Sequence, residues 1–122
     1  MIQTRIWALL SLRLDTRMDI DRRSVKLLMT YDPVPELRES YFDYLMGEFI
    51  PRLERLGLTM CESWHTAYGE YPLRLIAFMA PDGVTMNEVL TSEAFADLED
   101  RFKTYVSNYS RRTVPGRGWF QL

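Results

Sequence analysis

The sequence predicts an α+β fold in which two helices cover one face of a four-stranded antiparallel sheet, in the chain order β-α-β-β-α-β. Three observations carry this expectation. A short apolar run rich in β-formers occupies residues 25–31, two stretches repeat apolar residues at helical spacing, and between them a long segment alternates around Gly69-Glu70. Helices on one face leave the other in need of a cover, so the same reading predicts that the chain works as a homodimer.

The elements follow in order. Val25-Lys-Leu-Leu-Met-Thr-Tyr31 reads as a buried strand. It stops at Asp32-Pro33-Val34-Pro35, where proline disfavours helical geometry in the residue before it and suits the first turn of a helix. Asp32 is placed to cap that helix, and Glu36 and Glu39 suit the positive end of its dipole. The helix is expected over about residues 35–56, with Leu37, Tyr41, Tyr44, Leu45, Phe49, Leu53 and Leu56 as one apolar stripe. Pro51 cannot donate to the carbonyl of Gly47, and its ring crowds that group, so a bend is expected between the two. Gly57 supplies the left-handed stop.

Residues 58–68 and 71–80 read as a hairpin, because glycine first in a two-residue loop is the type II′ signature. If Tyr68 pairs with Tyr71, His65 falls opposite Arg74 and the strands divide into two faces. Met60, Glu62, Trp64, Leu75 and Ala77 share one; Cys61, Ser63, His65, Arg74, Ile76 and Phe78 share the other. Pro81-Asp82-Gly83 turns the chain, and Thr85 with Glu88 makes a capping-box pattern for a short helical turn. Ser92 caps a longer helix expected over about residues 93–111, with Phe95, Leu98, Phe102, Tyr105, Val106 and Tyr109 as its stripe. Pro115-Gly116 breaks it, and residues 118–122 read as a short last strand.

Composition narrows the class. At 122 residues the chain is one domain, and 47% hydrophobic with 13% aromatic residues sets it apart from disordered sequences. A net charge of −2 gives no field for drawing in nucleic acid. Cys61 is the single cysteine, so no internal disulfide is possible and a cytoplasmic location is the default. Residues 1–23 stand apart. Their apolar run, Ile6 to Leu12, falls short of the roughly 20 residues of a membrane span. Arg13, Asp15 and Arg17 replace the small-residue cleavage site of a signal peptide. Two readings stay open: an N-terminal arm that packs on the domain, or a translation start at Met18. The domain itself is placed at 24–122.

The element order, the Glu48-Phe-Ile-Pro-Arg-Leu-Glu-Arg-Leu-Gly-Leu58 end of the first helix and the glycine-turned hairpin resemble the dimeric α/β-barrel superfamily. Within it the NIPSNAP-type members and the antibiotic-biosynthesis monooxygenase group are the most similar. The resemblance covers about residues 24–122. It implies a ferredoxin-like subunit whose open sheet face packs against a second copy, and a small-molecule cavity between sheet and helices. Haem-degrading members use an asparagine, a tryptophan and a histidine, the last on the second helix. Here that helix has no histidine and the first strand no asparagine, which argues against haem degradation, and no cofactor is implied. No catalytic residue carries over position by position.

His65 is the sole histidine, so proton transfer near neutral pH starts with it. Arg74, opposite it in the expected register, would lower the imidazole pKa and favour a neutral base. The plain alternative is a strand histidine satisfied by an ordinary hydrogen bond. Tyr31, Tyr41, Tyr105 and Trp64 are the ligand-binding candidates, suited to an aromatic or quinone-like molecule; their alternative role is core packing. Cys61, Glu62 and His65 do not make a metal site, because strand alternation sends Glu62 to the opposite face. Arg111, Arg112 and Arg117 are expected to complement a helix C-terminus, with an anion site as the alternative. Together these readings predict a homodimer that binds a small apolar or aromatic molecule. Cofactor-independent oxygenation or isomerisation would be its chemistry if it is an enzyme. The alternative is a non-catalytic assembly module of NIPSNAP-like type.

Overall fold

The computed structural model describes residues 23–65 and 74–116, with backbone alone for Trp64 and His65. The expected Gly69-Glu70 turn, the closing strand at 118–122, Arg117 and residues 1–22 lie outside the described residues. Strands β1 (Val25–Pro33), β2 (Thr59–His65), β3 (Arg74–Ala80) and β4 (Val106–Pro115) form one antiparallel sheet in the order β2-β3-β1-β4. The helices lie on one face, over a core built from Leu27, Met29, Tyr31, Phe49, Phe78 and Phe102. β1 is central and buried on both sides, which is why its sequence reads as a continuous apolar run.

The first helical stretch begins with a tight turn at Pro35–Leu37, continues as α1 (Arg38–Tyr44), widens into a π-turn at Leu45–Phe49 and ends as α2 (Ile50–Leu56). Ile50 N–H donates to Leu45 O, one residue further back than in a regular α-helix. Pro51 explains the widening: it brings no N–H, and a wider turn moves the carbonyl it would otherwise crowd. The expected bend is thus taken up as a π-turn. Gly57 has φ 113°, and Leu58 N–H reaches Leu53 O at 3.0 Å while Gly57 N–H reaches Glu54 O at 3.1 Å. These two bonds satisfy the last carbonyls in a Schellman arrangement. Asp32 does not cap the helix. It belongs to β1, where its carboxylate accepts from Asn108 Nδ2 at 2.7 Å.

Helix α3 (Gly83–Leu90) is capped by Asp82, which accepts from Thr85 N–H at 2.7 Å, so Thr85 is the capped residue rather than the cap. Helix α4 (Glu93–Lys103) starts as expected at Ser92, whose hydroxyl accepts from Phe95 N–H at 3.1 Å. It ends eight residues earlier than the periodicity predicts. Val106–Pro115 is strand β4, paired along β1, and not the end of a helix. Helical spacing misled here because Tyr105, Val106 and Tyr109 reach the same core from a turn and a bulged strand. Asn108 and Tyr109 together stand opposite Tyr31, and Asn108 sits at φ 53°, a left-handed conformation that asparagine tolerates.

The hairpin register holds from His65↔Arg74 back to Glu62↔Ala77 and then slips at a bulge, so that Met60 pairs with Phe78. The bulge exchanges two faces relative to the simple alternation. Met60 joins the helix-side core, and Cys61 turns to the second face with Leu28, Leu75 and Ala77. The expectation of a bare second face holds only at the β4 edge, where Ser110 and Arg112 are exposed. At its centre Lys26 and Ala77 are 0% exposed, Leu28 2% and Cys61 3%, within a single chain.

Candidate functional site

Strand pairing assembles the candidate residues as a row. Tyr31 of β1 is the direct cross-strand partner of Arg74, and Arg74 is the direct partner of position 65 on β2. Cross-strand partners share a face, so Tyr31 and Arg74 look toward the helices. The contacts agree: the Arg74 guanidinium lies 6.0 Å from the centre of the Tyr41 ring, and Tyr31 and Tyr41 both belong to the helix-side core. The β4 bulge at Asn108 and Tyr109 extends the row to the far edge. Bulges cluster where a sheet has to re-aim side chains next to a site.

The two tyrosines form a closed pair. Their hydroxyls lie 2.6 Å apart and their ring centres 5.8 Å apart, and Tyr31 meets the edge of Phe102 at 4.9 Å. Both side chains are sealed from solvent. Burial pushes the Tyr31 phenol well above its usual range, and the neighbouring Tyr41 adds to the rise while Arg74 opposes it. Burial likewise raises Tyr41. Both therefore stay neutral near pH 7 and act through hydrogen bonds rather than as bases. Arg74, only partly buried, is the charged member of the group.

The other candidates are placed apart. Tyr105 follows α4 and packs on Tyr44 with ring centres 5.3 Å apart, away from the Tyr31–Tyr41 pair. The side chains of Trp64 and His65 lie outside the described residues. Arg111 does not complement a helix end: it lies in β4, donates to Glu99 at 2.6 Å and stacks on Phe95 at 5.3 Å. Tyr109 donates to the same carboxylate at 2.5 Å. A groove of about 540 Å³ runs between the helices, lined in part by Tyr44, Glu48, Arg52, Leu98 and Arg101, and does not include the row. In it Arg101 covers the Tyr44 ring at 4.8 Å, and burial pushes the Tyr44 phenol up to about 12. The sequence hides this groove because its residues come from two separated helices. Among the described residues no three His, Cys, Asp or Glu side chains gather as a metal set, and no helix is long and apolar enough to cross a membrane.

Comparison with known proteins bears on the fold. No family model matches the chain, and no curated protein matches it in sequence. Solved structures do. A NIPSNAP-like domain protein from Burkholderia xenovorans superposes with a TM-score of 0.56 at 9% identity, over 76% of this chain and 84% of that one. A protein from Bacteroides thetaiotaomicron assigned to the antibiotic biosynthesis monooxygenases gives 0.55 at 20% identity, over 79% and 95%. A dimeric ferredoxin-like protein from an uncultured marine organism gives 0.50 at 15% identity, over 78% and 89%. The chain has the ferredoxin-like fold of these proteins. The NIPSNAP-type and monooxygenase-type resemblance read from the element order is met at the level of fold, and identities this low speak to the fold alone.

Proposed function

We propose that residues 24–122 form a homodimeric, cytoplasmic α/β-barrel protein that binds a small apolar or aromatic molecule at the His65–Arg74–Tyr31 end of the sheet. The observation that supports this reading most is that Arg74 has Tyr31 and position 65 as its two direct cross-strand partners. Three side-chain types that a proton-transfer site needs, an imidazole, a cation and a phenol, are thereby assigned to one row. The dimeric ferredoxin-like protein of the same fold supports self-association.

The chemistry this row suits is a cofactor-independent isomerisation. His65 takes a proton from an acidic carbon of the substrate, the resulting enolate oxygen rests against Arg74, and the same imidazole returns the proton to a second carbon. Oxygenation would start from the same carbanion with dioxygen as co-substrate. In this reading Tyr31 and Tyr41 hold the floor beneath Arg74. A second reading, a non-catalytic assembly module, is favoured by one specific observation: Tyr31 and Tyr41 are fully buried and satisfy each other.

Native mass spectrometry of the purified chain separates the two. The first reading expects a dimer of the 14.5 kDa chain carrying a small organic molecule that His65→Ala and Arg74→Ala lose while staying folded. A ligand-free dimer, unchanged by either substitution, would establish the assembly module instead.

A further inference from the structure

Across the groove of about 540 Å³, Tyr44, Glu48, Arg52 and Leu56 of the first helical stretch face Leu98 and Arg101 of α4. Four-residue spacing lines up the first set, and Glu48 falls inside the π-turn at Leu45–Phe49. Wide turns of this kind recur at functional sites. The charge of the groove runs against that of the chain. Among the described residues that line it, Arg52, Arg55 and Arg101 meet two carboxylates, Glu48 and Asp97, whereas the whole chain has a net charge of −2.

The cations converge. Arg52 Nη2 and Arg101 Nη1 approach the same Glu48 oxygen, at 3.7 and 3.4 Å. Charge-assisted hydrogen bonds prefer about 2.7–2.9 Å, so Glu48 gathers the two guanidinium groups without a close bond to either. Arg101 lies over the Tyr44 ring at 4.8 Å, and Tyr44 Oη donates to Leu98 O at 2.8 Å, which fixes that ring as a platform. Arg55 has no ion pair among the described residues. The side chains of Arg52 and Arg101 are 57% and 54% exposed, and pairs so open to water add little to stability. Folding alone gives little reason to bring three arginines here.

We infer that this groove binds a small carboxylate with an apolar tail. The ligand's carboxylate takes the place Glu48 holds between Arg52 and Arg101, where two guanidinium forks donate to it and Arg55 adds a third cation. The tail lies along Leu56 and Leu98. Glu48 is then a built-in competitor that turns out to water when the ligand arrives. The site shares neither Tyr31, Tyr41 nor Arg74 with the row proposed above.

The experiment titrates the isotope-labelled full chain with octanoate, and with acetate and octylamine for comparison, following backbone amides and arginine Nε–H signals by NMR. Octanoate should give saturable shifts centred on Arg52, Arg55 and Arg101, and octylamine none. Acetate, which lacks the tail, should bind about ten-fold more weakly or worse. Arg52→Gln and Arg101→Gln should each weaken octanoate about ten-fold at unchanged circular dichroism, the size of one lost bond to a charged group. Glu48→Gln should instead tighten it several-fold, a gain that a purely structural Glu48 would not produce. If Arg101→Gln does not fold, the more exposed Arg52→Gln carries the comparison. Octanoate shifts that centre on Arg74 and spare the three arginines would overturn the inference. So would an equal response to octylamine, no saturable shift, or octanoate binding untouched by the arginine variants.

Discussion

The buried Tyr31–Tyr41 pair offers the sharpest energetic prediction. Each hydroxyl has the other as its partner at 2.6 Å, in a core where both side chains are out of contact with water. Replacing one tyrosine by phenylalanine deletes the bond and strands the remaining hydroxyl, which costs about 1–3 kcal/mol for a buried polar group. Replacing both removes the hydroxyl that would be stranded, so Tyr31→Phe/Tyr41→Phe should cost about as much as one single variant. The double-mutant cycle then gives a coupling of about 1–3 kcal/mol, within the range of residues in direct contact. With a urea m-value of about 2 kcal/mol per M, each single substitution moves the unfolding midpoint by about 0.5–1.5 M. Equilibrium urea unfolding by fluorescence and circular dichroism reads all four proteins. Single effects that simply add, to within about 0.5 kcal/mol, would refute the mutual satisfaction of the two hydroxyls.

Four further outcomes follow from particular residues. Gly47→Ala should stabilise the protein by about 0.5–1 kcal/mol, because Gly47 is helical and an added Cβ meets nothing within 4 Å. Gly57→Ala should destabilise by about 1–2 kcal/mol, because φ 113° suits glycine alone; thermal unfolding of the pair should therefore move in opposite directions. Ser92→Ala removes the hydroxyl that accepts from Phe95 N–H and should cost about 1 kcal/mol, read as lower helix content and midpoint. Stability should fall at alkaline pH. The Cys61 thiol is raised by burial from about 9 to about 12, and Tyr31, Tyr41 and Tyr109 are raised by burial from 10. Groups raised on folding contribute fully below their unfolded pKa values, and the contribution is lost as pH rises through the folded ones. Urea midpoints should thus decline from about pH 9 upward, and Cys61→Ala should delay the onset toward pH 10.

Legibility of the fold followed the strength of local chemistry. Gly57 and Ser92 each have a dedicated conformational or hydrogen-bonding role, and both stand where the sequence puts them. Pro51 announced a disturbance at the right place, while its form, a π-turn, depends on the packing of Tyr44 and Phe49 around it. The β4 error has a physical cause. Tyr105, Val106 and Tyr109 satisfy a helical stripe, yet β1 offers an unpaired edge along its whole length, and backbone pairing prevailed over periodicity. The Cys61 bulge is likewise invisible in one dimension, because a single extra residue leaves the alternation pattern intact on either side. Of the site, the Tyr31–Arg74–65 row was readable from the hairpin register, and Tyr41 from the helix stripe. That Tyr31 and Tyr41 close on each other, rather than opening onto a cavity, is a matter of side-chain geometry that no spacing encodes.

The row itself is tested most directly by following its histidine. The chain has one histidine, so a single imidazole signal reports His65 in a proton NMR titration. With Arg74 directly across the strand, Arg74→Gln should raise the midpoint of that titration, since a facing cation disfavours the imidazolium. A midpoint that stays put in a folded Arg74→Gln protein would show that the two side chains do not face each other, and would remove the proposed proton-transfer role of His65.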